Sequence, residues 1–249
     1  MTEIRQEKMA HLIQEREVIT IKELRALFPE VSLMTIHRDL DTLAASGLIT
    51  KMRGGARSVK HERESDFTIR EKENVIGKSQ VAEKALTLIQ GKTSIFLDSG
   101  TTNLALARLL PDVPMTIATV GPNIALSLLR TSNPEITVCP GKLNRENLTV
   151  SGYSTTQFLE TINIDLAFIG VSGYSKTTGF TCGQESEMMT KRLVIQRARK
   201  VALLCDKSKF KRLLPFTFAQ IADVDYVICD QTLPDDFLQA AEAAGTIVL

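Results

Sequence analysis

From Ser94 onward, apolar β-branched runs alternate with helical patterns, and this rhythm limits the possible folds more than any other feature of the chain. SIFLD precedes NLALARLL, MTIATV precedes NIALSLL, EITVCPG precedes YSTTQFLETI, and LAFIGV precedes ESEMMTKRLVIQRARK. VALLCD follows, then YVICD before DDFLQAAEAA, and a final TIVL. Repeated strand–helix alternation argues for an α/β domain, a mostly parallel sheet with helices on both faces.

The first part of the chain has a different pattern. Ile4 to Arg16 forms one helical pattern, with Met9, Leu12 and Ile13 as core candidates. VITIKELRALF supplies a second, with Ile21, Leu24 and Phe28 inward and Pro29 as its terminator. Ser32 is an N-cap candidate for a third helix, which Gly47 ends. Two short strands are expected around LITKM and from Ala56 to Val59, turning at Gly54-Gly55. Next comes a strongly charged stretch, read as a linker or linking helix. The domains are therefore expected at 1–57 and 75–249, with a linker at 58–74.

The 249 residues bury roughly 70–75% of the surface of the unfolded chain, so no disulfide is needed to hold a core. Cys139, Cys182, Cys205 and Cys229 lie far apart with no CxxC pair. They read as reduced, partly buried residues of a cytosolic protein. No spacing supports a metal or redox site, and no cofactor is expected. MTEIRQEKMA mixes acids and bases and lacks the apolar run of a secretory signal. Nowhere do about 18 apolar residues follow one another, so a cytoplasmic protein without a membrane partner is expected. A net charge of +1 excludes a protein that coats nucleic acid with its whole surface, leaving local patches to carry any such role.

The third helix carries such a patch. On a helical wheel Ile36, Leu40, Leu43 and Ala44 share the inward face, Met34, Arg38 and Asp41 point outward, and Thr35 and His37 occupy opposite flanks. Asp39 also lies on a flank, placed to orient a neighbouring base rather than to meet phosphate. Between Asp41 and Glu62 there is no acid, while Lys51, Arg53, Arg57 and Lys60 fall in that interval. Three helices followed by a basic hairpin make a winged helix-turn-helix, whose recognition helix enters the major groove. The expected DNA-facing residues are Ser32, Met34, Thr35, His37 and Arg38, with Lys51, Arg53 and Arg57 on the wing tracking phosphates. A solvated basic hairpin on a small helical protein is the plainer alternative.

VSLMTIHRDLDTLAASGLITKMRGGA resembles the signature of the DeoR family of bacterial transcriptional regulators. The matching residues are Val31, Ser32, Thr35, Ile36, Arg38, Asp39, Leu40, Gly47, Leu48, Arg53, Gly54, Gly55 and Ala56. The family usually has arginine where this chain has His37. The resemblance extends over nearly the whole chain. It implies a regulator, most often a repressor, that binds double-stranded operator DNA near sugar-metabolism genes as a homodimer or homotetramer. It also implies an effector that is a phosphorylated sugar or polyol.

In the larger domain, IFLDSGTTNLALARLL ends a strand at Asp98, and Ser99, Gly100, Thr101 and Thr102 then turn into a helix. Glycine permits close approach, and hydroxyls and first-turn amides favour an anion, although Thr-Thr can equally serve as a plain helix cap. Asn123 is a capping candidate at another strand–helix junction. Ser172 and Gly173 follow the strand LAFIGV, Glu187 and Lys191 share a helix face, and Asp206 and Lys209 follow VALLC. All of these turns follow strands, where ligands bind in open α/β sheets. Their order is similar to the DeoR sensor domain, which implies a phosphosugar-isomerase and CoA-transferase-like fold. On this reading Thr101 and Thr102 hold the phosphate, Lys191 or Lys209 balances its charge, and Asp98 and Glu187 accept from hydroxyls. Two alternatives remain. One is an isomerase-type enzyme with a DNA-binding appendage, and the other is a redox sensor using the cysteines.

Overall fold

The computed structural model describes residues 2–16, 18–45, 49–58, 66–91 and 93–249. The chain divides into two compact units, Met1–Glu62 and Arg63–Leu249.

The first unit contains helices α1 (Thr2–Arg16), α2 (Ile21–Leu27) and α3 (Leu33–Ala45) and strands β1 (Val18–Thr20), β2 (Ile49–Met52) and β3 (Gly55–Ser58). Met9, Ile13, Leu24, Phe28, Ile36, Leu40 and Leu43 form its core with Ile19, Ile49 and Ala56 from the strands. Leu12, Ile21 and Ala44, expected inward, are only half-buried. The expected helix over VITIKELRALF differs at its start, because Val18–Thr20 pairs with β3 as an antiparallel strand. Thr20 accepts from the Glu23 amide at 3.2 Å while Glu23 accepts from the Thr20 amide at 2.7 Å. This reciprocal cap starts the helix at Ile21 and leaves the β-branched residues before it to the sheet. Gly54 turns the β2–β3 hairpin at φ +86°, and a Cβ on Gly55 would meet the Ile19 carbonyl at 2.3 Å. Gly47, the expected helix stop, lies outside the described residues.

The second unit is built on a seven-stranded, wholly parallel sheet. Its strands are β4 (Ser94–Leu97), β5 (Thr116–Thr119), β6 (Glu135–Val138), β9 (Leu166–Gly170), β12 (Val201–Cys205), β14 (Tyr226–Cys229) and β15 (Ile247–Val248). Their spatial order is β15-β14-β12-β9-β4-β5-β6. Alternate residues feed two cores, with Phe96, Ala167, Ile169 and Leu203 on one side and Ile95, Leu97, Phe168 and Leu204 on the other. Burial on both faces is why these strands read as unbroken apolar runs. Helices α5 (Val75–Leu86), α6 (Thr101–Leu109), α7 (Pro122–Leu128), α8 (Tyr153–Leu159), α9 (Glu185–Arg197) and α10 (Asp235–Ala244) cover it. The hairpin β7 (Lys142–Asn144) and β8 (Thr149–Ser151) and the small sheet of β10 (Gly173–Ser175), β11 (Gly179–Cys182) and β13 (Phe216–Ala219) were not expected. All four cysteines are free and buried.

The stretch 58–74 was expected as a linker or linking helix. It holds helix α4 (Phe67–Lys72), whose Phe67 is buried in the core of the second unit. Residues 59–65 lie outside the described residues.

Candidate functional site

In the first unit, Ser32 caps α3 as its sequence position suggested, accepting from the Thr35 amide at 3.1 Å and pairing with the Thr35 hydroxyl at 2.8 Å. Ile36, Leu40 and Leu43 point into the core, while Met34 (74% exposed) and Arg38 face solvent. Thr35 and His37 are half-buried on the flanks. Asp39 holds a cation of its own unit. Its carboxylate is 1% exposed and accepts from Arg5 at 2.7 Å and Gln6 at 2.8 Å, fastening α3 to α1. On the wing Arg53 and Arg57 are exposed, as is Lys51, but Lys51 reaches back to Asp41 at 2.6 Å. That pair is exposed and therefore weak, so it leaves Lys51 able to meet phosphate.

The second unit places its candidates around a crevice. From β4 the chain runs to β5 and β6 on one side, then returns to β9 on the other side of β4 and continues outward to β12. Winding reverses between β4 and β9, and the loops leaving their carboxyl ends must part, which is where open α/β sheets bind ligands. A small cavity lies there, lined by Ser99, Gly100, Thr101 and Thr102 after β4, Gly170, Val171 and Ser172 after β9, and Glu187, Lys191 and Lys209. Gly100 stands at the N-cap of α6 at φ +107° and ψ 164°, and no side chain caps this helix. The plain-cap alternative for Thr101 and Thr102 therefore does not describe this turn. Its first turn lines the cavity, where a helix N-terminus carries partial positive charge.

Beneath the cavity Asp98 and Lys191 form a buried ion pair. Asp98 also accepts from the Gly170 amide at 3.0 Å, and Lys191 donates to the Gly170 carbonyl at 2.8 Å. Burial works against the Lys191 charge, but Asp98 and Glu187 outweigh it and hold its pKa above the ordinary lysine value. The pair knits β4, β9 and α9 together, so Asp98 braces the cavity floor and does not line the cavity.

Three further expected residues do not line the cavity. Asp206 caps the 3-10 turn Lys207–Lys211, accepting from the Ser208 amide at 2.9 Å and lying 3.6 Å from Lys209. Gly173 starts β10, where a Cβ would meet the Arg212 carbonyl at 2.6 Å. Asn123 lies inside α7, whose N-cap is Gly121, and its buried amide finds no hydrogen-bond partner among the described residues. Three lining residues went unread, of which Val171 simply ends the apolar run LAFIGV. Asn103 sits one position beyond the quoted turn, and Arg70 comes from α4. The helical register after Thr102 pointed to Asn103; nothing in the charged stretch singled out Arg70.

Fold and site together define a winged-helix unit followed by an α/β unit with a polar, cation-lined cavity at its strand ends, the build of a DNA-binding protein that senses a small molecule. Known proteins narrow this further. The DeoR-like helix-turn-helix domain matches residues 5–62, and the DeoR C-terminal sensor domain matches residues 73–231. The HTH-type transcriptional regulator GlpR of Haloferax volcanii is 34% identical over 220 residues, 88% of this chain and 86% of that protein. The glycerol-3-phosphate regulon repressor of Haemophilus influenzae is 29% identical over 225 residues, 90% of this chain and 88% of that protein. Among solved structures, ribose 5-phosphate isomerase A of Methanocaldococcus jannaschii aligns over 57% of each chain, with a TM-score of 0.42 and 19% identity. The chain belongs to the DeoR family of transcriptional regulators.

Proposed function

We propose that this regulator acts in the cytoplasm as a homodimeric or homotetrameric repressor of sugar or polyol metabolism genes, and that a phosphorylated sugar or polyol changes its affinity for operator DNA. The observation that carries this reading is the uncapped N-terminus of α6, which opens onto a cavity also lined by Arg70, Lys191 and Lys209. A helix N-terminus and cations lining one cavity suit a phosphate group. The relative named for the glycerol-3-phosphate regulon supports a phosphorylated polyol as effector class. Met34, Thr35, His37 and Arg38 are the base-reading and groove-facing residues of α3, and Arg53 and Arg57 track phosphate from the wing. No described helix is long and apolar enough to cross a membrane.

We read the cavity as a binding site and not a site of turnover. The relatives named above are transcriptional regulators, and Asp98, one of the two carboxylates at the cavity, is committed to Lys191 and the Gly170 amide. The test is to select a DNA site from a random-sequence pool with the full-length protein, then titrate that site with a panel of sugar and polyol phosphates. At least one is expected to shift DNA affinity by about 5–150-fold, the usual range of allosteric coupling. No shift and no thermal stabilisation by any of them would remove the sensing claim, and conversion of a panel compound would favour the enzyme.

A further inference from the structure

Helix α4 has only six residues, too few to be stable alone, and the second unit holds it at several points. Phe67 is buried against the core of that unit, and its amide donates to the Glu146 carbonyl at 2.7 Å. Glu71 pairs with Arg108 at 2.9 Å. The buried Lys78 ammonium donates to the Arg70 and Glu73 carbonyls, placing a cation at the helix C-terminus. These contacts set the position of Arg70, which is 8% exposed and lies 6.0 Å from the centroid of the Phe67 ring. Arg70 thereby lines the same cavity as the first turn of α6.

A second observation concerns Asn103. It is fully buried and lines the cavity, its amide nitrogen donates to the Ser99 carbonyl at 3.4 Å, and its Oδ1 has no partner among the described residues. An acceptor at that depth calls for a donor on the ligand. A phosphate ion can donate a P–OH there only by turning an oxygen away from the amides, whereas a phosphate ester with a hydroxyl beside it supplies a donor without that loss.

We propose that Arg70 is a direct ligand of the effector's phosphate, shared with the first-turn amides of α6, and that Asn103 Oδ1 accepts from an effector hydroxyl. This rests on the reading of the cavity as the effector site. A planar guanidinium matches two phosphate oxygens in a way an ammonium does not. A phosphate bridging α6 and Arg70 fastens α4 to the second unit. Because α4 is the first described element after the DNA-reading unit in sequence, it is the element through which occupancy is felt. A ligand shifts such an equilibrium only through a contact made in one state and not the other, and the Arg70 contact provides it.

The test uses the full-length protein with glycerol 3-phosphate, glucose 6-phosphate, fructose 1-phosphate and inorganic phosphate as probes, read by calorimetry and by hydrogen exchange at residues 67–72. An ester is expected to bind wild type at least about tenfold tighter than inorganic phosphate and to slow exchange across α4. Arg70→Gln is expected to weaken that ester by about tenfold or more and to abolish the α4 protection. Arg70→Lys, which keeps the charge and the helix, is expected to recover only part of the affinity. Should Arg70→Gln fail to fold, Arg70→Lys decides alone, with unchanged affinity as the overturning result. An ester that binds wild type and both variants equally overturns the Arg70 assignment and leaves the effector reading standing. Wild type binding inorganic phosphate as tightly as every ester overturns the Asn103 role. Wild type binding no probe overturns the effector reading and this inference with it.

Discussion

The carboxylate of Asp39 accepts two hydrogen bonds from the Arg5 guanidinium, at 2.7 and 3.2 Å, and so locks the recognition helix α3 to α1 from beneath. Burial pushes the Asp39 pKa up, but the hydrogen bonds from Arg5 and Gln6 and nearby positive charge outweigh it, leaving the value below the ordinary carboxylate range. A depressed carboxylate stabilises the fold above the unfolded value of about 3.9, and that contribution is lost as pH falls through the folded value. Asp39→Ala is expected to destabilise the first unit by about 1–3 kcal/mol at neutral pH. It should also flatten that unit's loss of stability below about pH 4. Denaturant melts of wild type and variant from pH 2 to 7 check both effects, and parallel pH curves would show that Asp39 is not the acid-sensitive group.

This lock also marks how far the sequence could be read. Strands buried on both faces leave continuous apolar runs, so β4, β5, β9 and β12 were legible, as were the turns that follow them. The Asp39 partnership was not, because Arg5 lies 34 residues away and no local pattern links the two. Strand β1 was read as helix because the Thr20–Glu23 cap that divides VIT from IKELRAL competes with the helical apolar spacing. Arg70 was hidden for a related reason. A six-residue helix with one buried Phe67 among charges looks like a solvated linker. Asp206 and Gly173 fall at strand ends like true cavity residues, but their roles are to cap a turn and to admit a close backbone contact. Which strand-end residues face the cavity is decided by rotamers and packing that sequence position does not encode.

Lys191, under the cavity, titrates in the opposite direction to Asp39. Lys191 has a raised pKa, so its stabilisation is fully present below the unfolded lysine value of about 10.4 and is lost as pH rises through the folded value. Lys191→Met leaves Asp98 charged and buried, and is expected to cost the second unit about 3–5 kcal/mol. Combining it with Asp98→Asn removes the orphaned charge and should recover much of that loss. Thermal melts between pH 7 and 11 should show the alkaline fall in wild type and its absence in the double variant. A double variant as unstable as Lys191→Met alone would mean that lost packing, not charge, sets the cost.

Gly100 bears on the cavity through its backbone. Its φ of +107° with ψ of 164° is open almost only to glycine, although a Cβ there would meet no atom within 4 Å. Gly100→Ala is therefore expected to cost about 1–3 kcal/mol through strain alone. The turn can relieve that strain only by moving the first amides of α6, so binding of the best effector probe should weaken with it. A variant with wild-type stability and affinity would show that the turn adopts another conformation at no cost.

The thiols give a test of rigidity. Burial pushes both Cys139 and Cys182 up to about 12. At pH 8 roughly one in ten thousand of each is thiolate, the species that reacts with alkylating agents. Native protein treated with iodoacetamide is expected to label these two positions at least about a hundredfold more slowly than the urea-unfolded chain. Peptide mass mapping resolves the sites. Fast native labelling at Cys182, which is close enough to Lys191 to feel its charge, would indicate that β11 opens readily beside the cavity floor.

Arg38 and His37 test the DNA-reading face directly. Arg38 is exposed on the side of α3 opposite its core residues, where nothing but charge and reach commends it. Arg38→Ala is expected to weaken binding to a selected DNA site by about 1–3 kcal/mol and to relax preference at one base position if it meets a base edge. If it meets phosphate, the loss should be uniform across sequences and the slope of log affinity against log salt should fall by about 0.9. His37 lies half-buried on the flank, one position before Arg38. His37→Arg supplies a permanent charge with a longer reach. It should tighten binding and steepen the salt dependence by about 0.9 per phosphate gained. Fluorescence anisotropy across 50 to about 200 mM salt distinguishes these outcomes. Unchanged affinity and slope in His37→Arg, alongside a clear loss in Arg38→Ala, would place the groove-facing edge of α3 on the Met34–Arg38 side alone.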